Sequence, residues 1–414
     1  MPDKRVLLIS YYFPPLGMGG VSRAAALHRY LPDYGYQVFT LTVKPILYPE
    51  YDHSRLASLN QENIIRTGSL DPARILYLMG KRKVSGALIE KARGTYLLWR
   101  PDSKRYWNLF AYRRARALIR QEKIPIVITT SPPPSTHIIG RKLKRESGIH
   151  WIADFRDLWL SLPIEENYSS DRSRNYSRRL KEAIVAEADE IVSVNSDIRR
   201  YLGRGEVIMN GAESATRELW RKNSSSGGDN FTIGILGTVN RLCPVDTLFA
   251  AVALVDRKNS ELGKKLRIVH VGHSEPKTMQ TLVCKFNIGD RFIGRGYLPH
   301  DEAITALAPA DMLFFSVGKF SEYHILPGRI FYYLLSGKPI VSDVPVGSDA
   351  EKLLKEYPAG FLVTDGEIDA IAGALEHLAT VSKPPLNLPE SYCSQYTTKT
   401  LAAKFAALLD RSLK

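Results

Sequence analysis

Two hydrophobic periods alternate along this chain. Short apolar runs of strand length fall at 5–10 (Arg5-Val-Leu-Leu-Ile-Ser10), 37–42, 125–130, 151–155, 190–194 and 206–209, and helical spacing fills the gaps at 21–33, 107–122, 135–146 and 173–188. A second series begins at Phe231-Thr-Ile-Gly-Ile-Leu-Gly237 and continues at 266–272, 291–294, 311–316, 339–342 and 360–363, with helices expected at 246–256, 275–285, 301–308, 327–336, 348–356 and 367–380. Strand–helix alternation of this kind predicts an α/β protein whose parallel sheets are covered on both faces, here built twice. Ligands of such sheets bind at the carboxyl ends of the strands, so the two sheets are expected to face each other across a cleft. Asn223-Ser-Ser-Ser-Gly-Gly-Asp-Asn230 is the most linker-like stretch and puts the change of domain between about 208 and 230. The expected domains are 1–210 and 211–395. Leu401, Phe405, Leu408 and Leu409 make a stripe at helical spacing that needs a partner surface, so residues 396–414 are expected to pack back on the first domain.

Length supports that division, since 414 residues exceed one ordinary core and suit two domains of about 200 each. No apolar run approaches the roughly 18 residues of a membrane span, and Met1-Pro-Asp-Lys-Arg5 runs straight into a strand rather than a signal-peptide core. Cys243, Cys284 and Cys393 have spacings that suit neither a disulfide framework nor a zinc site. These features predict a cytoplasmic protein. Its formal charge of +14 is concentrated: residues 51–150 hold 20 basic residues against 7 acidic ones. Between 81 and 120 the basic residues are interleaved with Tyr96, Trp99, Tyr106, Trp107, Phe110 and Tyr112. Such a face suits an anionic membrane surface, and its charge alone equally suits nucleic acid or a solvated helix. No nucleic-acid module accompanies it, and aromatics beside arginines fit a membrane interface, so the expected partner is the membrane and not nucleic acid.

Candidate chemistry lies at the ends of the predicted strands. After the first strand the chain reads Leu16-Gly-Met-Gly-Gly20-Val-Ser-Arg23, a glycine-rich turn opening a helix. Gly19 and Gly20 would let backbone N–H groups approach a phosphate at a helix N-terminus, although a tight connection explains the same glycines. The spacing matches neither the dinucleotide fingerprint nor the Walker loop. Asp154 and Asp157 close an apolar strand, where either is placed to hydrogen-bond an acceptor hydroxyl or take its proton; Asp157 equally suits a turn cap. His137 follows Pro132-Pro-Pro-Ser-Thr at a helix start, as a sugar contact or a structural residue. His270 and His273 lie on a strand and its exit and form no metal pair.

With both halves read, the chain resembles the family-4 type of GT-B glycosyltransferases. The matching pieces are Pro14-Pro-Leu-Gly-Met-Gly-Gly20-Val-Ser-Arg23, Thr130-Ser-Pro-Pro-Pro-Ser-Thr-His137, Ala153-Asp-Phe-Arg-Asp157-Leu-Trp159, Val207-Ile-Met-Asn-Gly211, Ile233-Gly-Ile-Leu-Gly237, Gly296-Tyr-Leu-Pro-His300 and Pro327-Gly-Arg329 through Gly337-Lys-Pro339. The resemblance implies two Rossmann-like domains and transfer of a sugar from a nucleoside diphosphate to a lipid-linked or saccharide acceptor. It also implies retention of configuration without a metal or cofactor, the leaving phosphate helping to deprotonate the acceptor. Arg241 and Arg329 are then the phosphate clamps, because a guanidinium grips two oxygens of a developing diphosphate charge. The family's usual pair of glutamates eight positions apart is missing. His324 and Tyr332 stand at those positions, with Glu322 the carboxylate nearby. That departure favours a scaffold that has lost catalysis as the rival reading, and an epimerase on the same fold is a weaker one.

Overall fold

The computed structural model describes residues 4–82, 101–159, 171–224, 229–319, 323–381 and 385–413. The chain divides into two compact units, Met1–Asn210 with Thr398–Lys414, and Gly211–Thr397.

In the first unit seven strands, β1 (Arg5–Ser10), β2 (Gln37–Val43), β3 (Ile64–Thr67), β4 (Ile126–Ser131), β5 (His150–Phe155), β6 (Glu190–Ser193) and β7 (Glu206–Val207), form one sheet. Their order is β3-β2-β1-β4-β5-β6-β7 and every pairing is parallel. The apolar runs explain this arrangement: all six residues of β4 and five of the six of β1 are buried, as strands covered on both faces require. The order reverses between β1 and β4. Such a switch point leaves a crevice beyond the strand ends in which ligands bind. One core cluster joins Val6, Leu8, Ile126, Ile128 and Ile152 of the strands to Leu401, Phe405, Leu408 and Leu409 of the helix Thr398–Ser412. The apolar stripe of that helix therefore completes the core of a unit whose other residues end at Asn210.

The second unit has six strands, β8 (Phe231–Leu236), β9 (Leu266–Val271), β10 (Phe292–Gly294), β11 (Met312–Ser316), β12 (Ile340–Val344) and β13 (Gly360–Thr364), in the order β10-β9-β8-β11-β12-β13, again all parallel. Its switch point lies between β8 and β11. Two local elements lie outside the expected series. The units divide at Asn210, inside the expected window, and a helix not foreseen, Ala215–Asn223, precedes the linker-like stretch, because Trp220 is fully buried and its indole N–H donates to the Tyr332 carbonyl at 3.0 Å. Strand β3 was not foreseen, being four half-buried residues at a sheet edge.

The basic–aromatic region is only partly described, and Trp99 with residues 83–100 lies outside the described residues. Trp107 is not an interfacial residue: it is fully buried, donates to Thr67 Oγ1 at 2.8 Å and packs edge-on to Tyr11. Among the described residues no helix is long and apolar enough to cross a membrane.

Candidate active site

At the switch point of the first unit, the turn Gly19–Val21 leads into the helix Ser22–Tyr30 with no side chain capping either start. A Cβ placed on Gly19 or Gly20 would meet nothing within 4 Å. Neither glycine has a positive φ, so neither packing nor backbone conformation demands glycine here. What the missing side chains leave is open backbone at a helix N-terminus, suited to an anion. The turn is held from behind by Arg156, buried just past β5, which donates to the carbonyls of Gly20, Ser131 (2.8 Å) and Pro132 (3.2 Å). One guanidinium thus stitches the glycine turn to the loop after β4.

Asp154 is placed differently from the expected proton acceptor. Its carboxylate is fully buried and gripped by Arg23 through Nε (3.1 and 3.0 Å) and Nη2 (2.8 Å), while Thr130 donates to it at 2.7 Å. Arg23 is also buried, bonds Met209 O (3.3 Å) and Asn210 Oδ1 (3.2 Å), and lies 5.0 Å over the Phe405 ring. The carboxylate accepts bonds at both oxygens, so the structure gives it a holding task. Asp157, two residues past β5, faces solvent. Protein packed around its carboxyl still holds it above the ordinary carboxylate range against the pull of Arg156.

His137 is sealed at the start of helix Thr136–Ser147. The Thr129 hydroxyl accepts from Trp151 Nε1 (2.8 Å) and meets His137 Nδ1 at 2.8 Å. A hydroxyl that gives its hydrogen to Nδ1 places the ring proton on Nε2. That nitrogen is buried without a partner, as is Trp159 Nε1 in the same aromatic stack, where Phe155 lies 4.4 Å and Trp159 6.4 Å from the imidazole. Desolvation pulls His137 down to about 3, so the ring is neutral across the physiological range. One turn on, Gly140 makes room for the indole: a Cβ there would lie 2.1 Å from Trp151 Nε1.

In the second unit Arg329 lies at the switch point but is not a surface clamp. It is buried, with Nη1 donating to the carbonyl of Leu236, the last residue of β8, at 2.8 Å. Nη2 sits 3.4 Å from the carbonyl of Ser316, the last residue of β11, and Nε is buried without a partner. One turn along, Tyr333 accepts the Leu236 N–H at 2.8 Å. The same helix therefore satisfies both backbone groups of the residue that ends β8. Arg241 is exposed in the tight turn at Asn240–Cys243. His324 is half-buried ahead of the helix Arg329–Leu334, and Glu322 lies outside the described residues. Tyr332 is half-buried with its ring 4.9 Å from that of His300. Among the described residues no group of three or more His, Cys, Asp or Glu side chains is arranged to hold a metal.

Residues 18–210 match the glycosyl transferase 4-like domain. No curated protein sequence matches significantly. Solved structures resemble the whole chain. Sucrose-phosphate synthase from Thermosynechococcus elongatus superposes with a TM-score of 0.67 at 14% identity, covering 99% of each chain. A glycosyltransferase from Rickettsia africae gives 0.63 at 14% over 100% of both chains. WaaG, a glycosyltransferase involved in lipopolysaccharide biosynthesis, gives 0.59 at 11% over 99% of this chain and 98% of its own. The chain has the GT-B fold, and its residues 18–210 match a glycosyl transferase 4-like domain.

Three residues central to this geometry were not singled out from the sequence: Arg23 as the partner of Asp154, Arg156 as the stitch behind the glycine turn, and Tyr333. Arg156 had a visible signal, a cation between two aspartates immediately after a buried strand. Arg23 had none, since its partner is 131 positions away.

Proposed function

We propose that the protein is a glycosyltransferase that moves a sugar from a nucleoside-diphosphate donor to a lipid-linked or saccharide acceptor, with retention of configuration. In this reading the second unit binds the donor nucleotide and the first unit the acceptor. The observation that carries it is the glycine turn: Gly19 and Gly20 are glycines that neither packing nor φ requires, at a helix start that no side chain caps. Backbone N–H groups there stabilise the diphosphate as its charge grows, and Arg329 supplies a cation at the other switch point. His137, neutral and fully buried against Phe155 and Trp159, shapes the wall behind the sugar. Asp157, solvent-facing, binds the acceptor hydroxyl, and the leaving phosphate takes its proton. Arg241, His324 and Tyr332 contribute to the donor site, with Tyr332 offering one hydroxyl where a carboxylate is usual.

The membrane is the expected platform, on the cytoplasmic side. Tyr106, Leu109, Arg113, Arg116 and Arg120 follow one another at steps of three and four and are all exposed, and Leu78 and Met79 are exposed beside Lys81 and Arg82. Apolar tips among cations fit an anionic bilayer. Co-sedimentation with anionic liposomes that weakens with salt supports this docking, and tight oligonucleotide binding with liposomes left in the supernatant overturns it.

Thermal unfolding in the presence of UDP-, GDP-, ADP- and dTDP-sugars tests the donor assignment. Ligand at about 100 times its dissociation constant adds about 2.7 kcal/mol, which for a unit of this size raises its transition by roughly 5–11 °C. Absence of any shift across the panel favours the rival reading, a glycosyltransferase fold kept without catalysis, which the loss of the glutamate pair supports.

A further inference from the structure

A cavity of about 220 Å³ opens in the first unit, lined among others by Pro15 and Leu16 after β1, Lys44 just past β2, Tyr51 and Gln61 on the way to β3, and Arg66 in β3. Its walls are fixed by backbone: Asp52 N–H donates to the Pro15 carbonyl at 2.7 Å, Gly17 N–H to the Glu50 carbonyl at 2.8 Å, and Leu16 bridges Tyr51. The cavity therefore lies at the carboxyl ends of β1, β2 and β3, and its Pro15–Leu16 wall runs directly into the Gly17–Gly20 turn. It is smaller than the roughly 300–1,000 Å³ of sites that enclose a drug-sized ligand, and suits one sugar unit.

The charges around this cavity lack counter-charges. Arg66 donates only to the carbonyls of Val43 (3.3 Å) and Pro14, and among the described residues no carboxylate pairs with it or with the exposed Lys44. Arg74 donates at 2.5 Å to the carbonyl of Pro45, another wall residue, and has no carboxylate partner there either. The neighbouring Asp52 is taken, accepting from Ser54 and Arg55. Burial pulls Arg66 down from its ordinary value, against a smaller opposing pull from Tyr51. A guanidinium and an ammonium with no protein anion recognise a phosphate or carboxylate. The exposed amide of Gln61 suits hydroxyls, and Pro15 and Leu16 offer an apolar wall for a sugar ring.

The geometry points to this cavity as the acceptor subsite, and to an acceptor whose sugar carries a phosphate or a carboxylate. The inference rests on the glycosyl-transfer reading above and adds the chemical class of the acceptor. The test is calorimetric titration of the full-length protein, without donor, with glucose 6-phosphate, glucuronate and glucose, on the wild type and on Lys44→Gln. The charged sugars are expected to bind and glucose not to. Lys44→Gln should weaken them about tenfold, the loss of one charge-assisted hydrogen bond, and the tighter of the two tells phosphate from carboxylate. Glucose binding as tightly as the charged sugars, or charged-sugar affinity unchanged in Lys44→Gln, overturns the inference. The nucleotide-sugar thermal shift, measured on the same two proteins, separates the two readings. A donor shift retained with no anion binding sinks the subsite alone, whereas anion binding with no donor shift sinks glycosyl transfer and the acceptor role with it.

Discussion

Replacing Asp154 with asparagine leaves the Arg23 guanidinium sealed in the first unit without a counter-charge. Both side chains are almost wholly buried, at 1% and 0% exposure, so solvent does not screen the loss. Removing one partner of such a pair costs about 3–5 kcal/mol, because the remaining ion is desolvated and unpaired. A unit of roughly 200 residues shifts by about 2–4 °C per kcal/mol, which places the first unit's transition about 6–20 °C lower in Asp154→Asn. Arg23 also holds Met209, Asn210 and the face of Phe405, so hydrogen exchange over 398–412 should quicken in the same variant. The double variant Arg23→Met/Asp154→Leu should regain most of the loss, since well-packed apolar pairs often replace buried ion pairs at no cost. Calorimetry with exchange mass spectrometry reads both effects. An Asp154→Asn protein that unfolds at the wild-type temperature yet no longer transfers sugar would refute the reasoning and return Asp154 to the chemistry.

Three further outcomes follow from the site. Gly20→Ala should leave stability within about 0.5 kcal/mol of the wild type while reducing the donor-induced thermal shift; an unchanged shift would make the turn a mere connection. Arg329→Ala should reduce both the donor-induced shift and the second unit's own transition, because the Leu236 carbonyl loses its donor, and Arg329→Lys should recover part of each; a full donor response in the alanine variant removes Arg329 from phosphate binding. His137 stays neutral in the fold down to about 3 but takes a proton near 6.5 when unfolded, so its effect is absent above that pH and destabilises progressively as pH falls from about 6.5 towards 3. The slope is about 1.4 kcal/mol per pH unit for this group, and His137→Gln should lose that share of the acid sensitivity in pH-dependent denaturation; an identical profile contradicts the burial argument.

Both sheets were legible because parallel strands covered on two faces leave continuous apolar runs, as in Leu7-Leu-Ile9 and Met312-Leu-Phe-Phe315. β3 was not, since an edge strand of Ile64-Ile-Arg-Thr67 needs only half its surface covered and shows no run. Position was equally readable, and it put Asp154 and Asp157 at the end of a buried strand and His137 and Arg329 at helix starts. What each side chain touches was not. Asp154 and Asp157 look alike in sequence, yet one meets Arg23 from a helix 131 positions away and the other meets solvent. Trp107 reads as an interfacial aromatic among cations until Thr67, 40 positions earlier, takes its N–H. Partner choice across such separations is decided by topology, which local periodicity does not carry.

The return of Thr398–Ser412 to the first core makes the second unit an insertion within the first. During synthesis on a ribosome, the segment ending at Asn210 leaves the exit tunnel lacking Leu401, Phe405, Leu408 and Leu409, with an apolar groove over Val6, Leu8 and Leu27 uncovered until the whole insertion has been made. The loop entropy of that delay is small, about 0.6 kcal/mol for each doubling of the intervening length. Its kinetic burden is larger: at about 5–20 residues per second, the groove waits on the order of ten seconds or more for its lid, a window for chaperone capture or aggregation. Polar substitutions along the inner stripe of the helix should accordingly lower the yield of soluble protein before they alter any rate of catalysis.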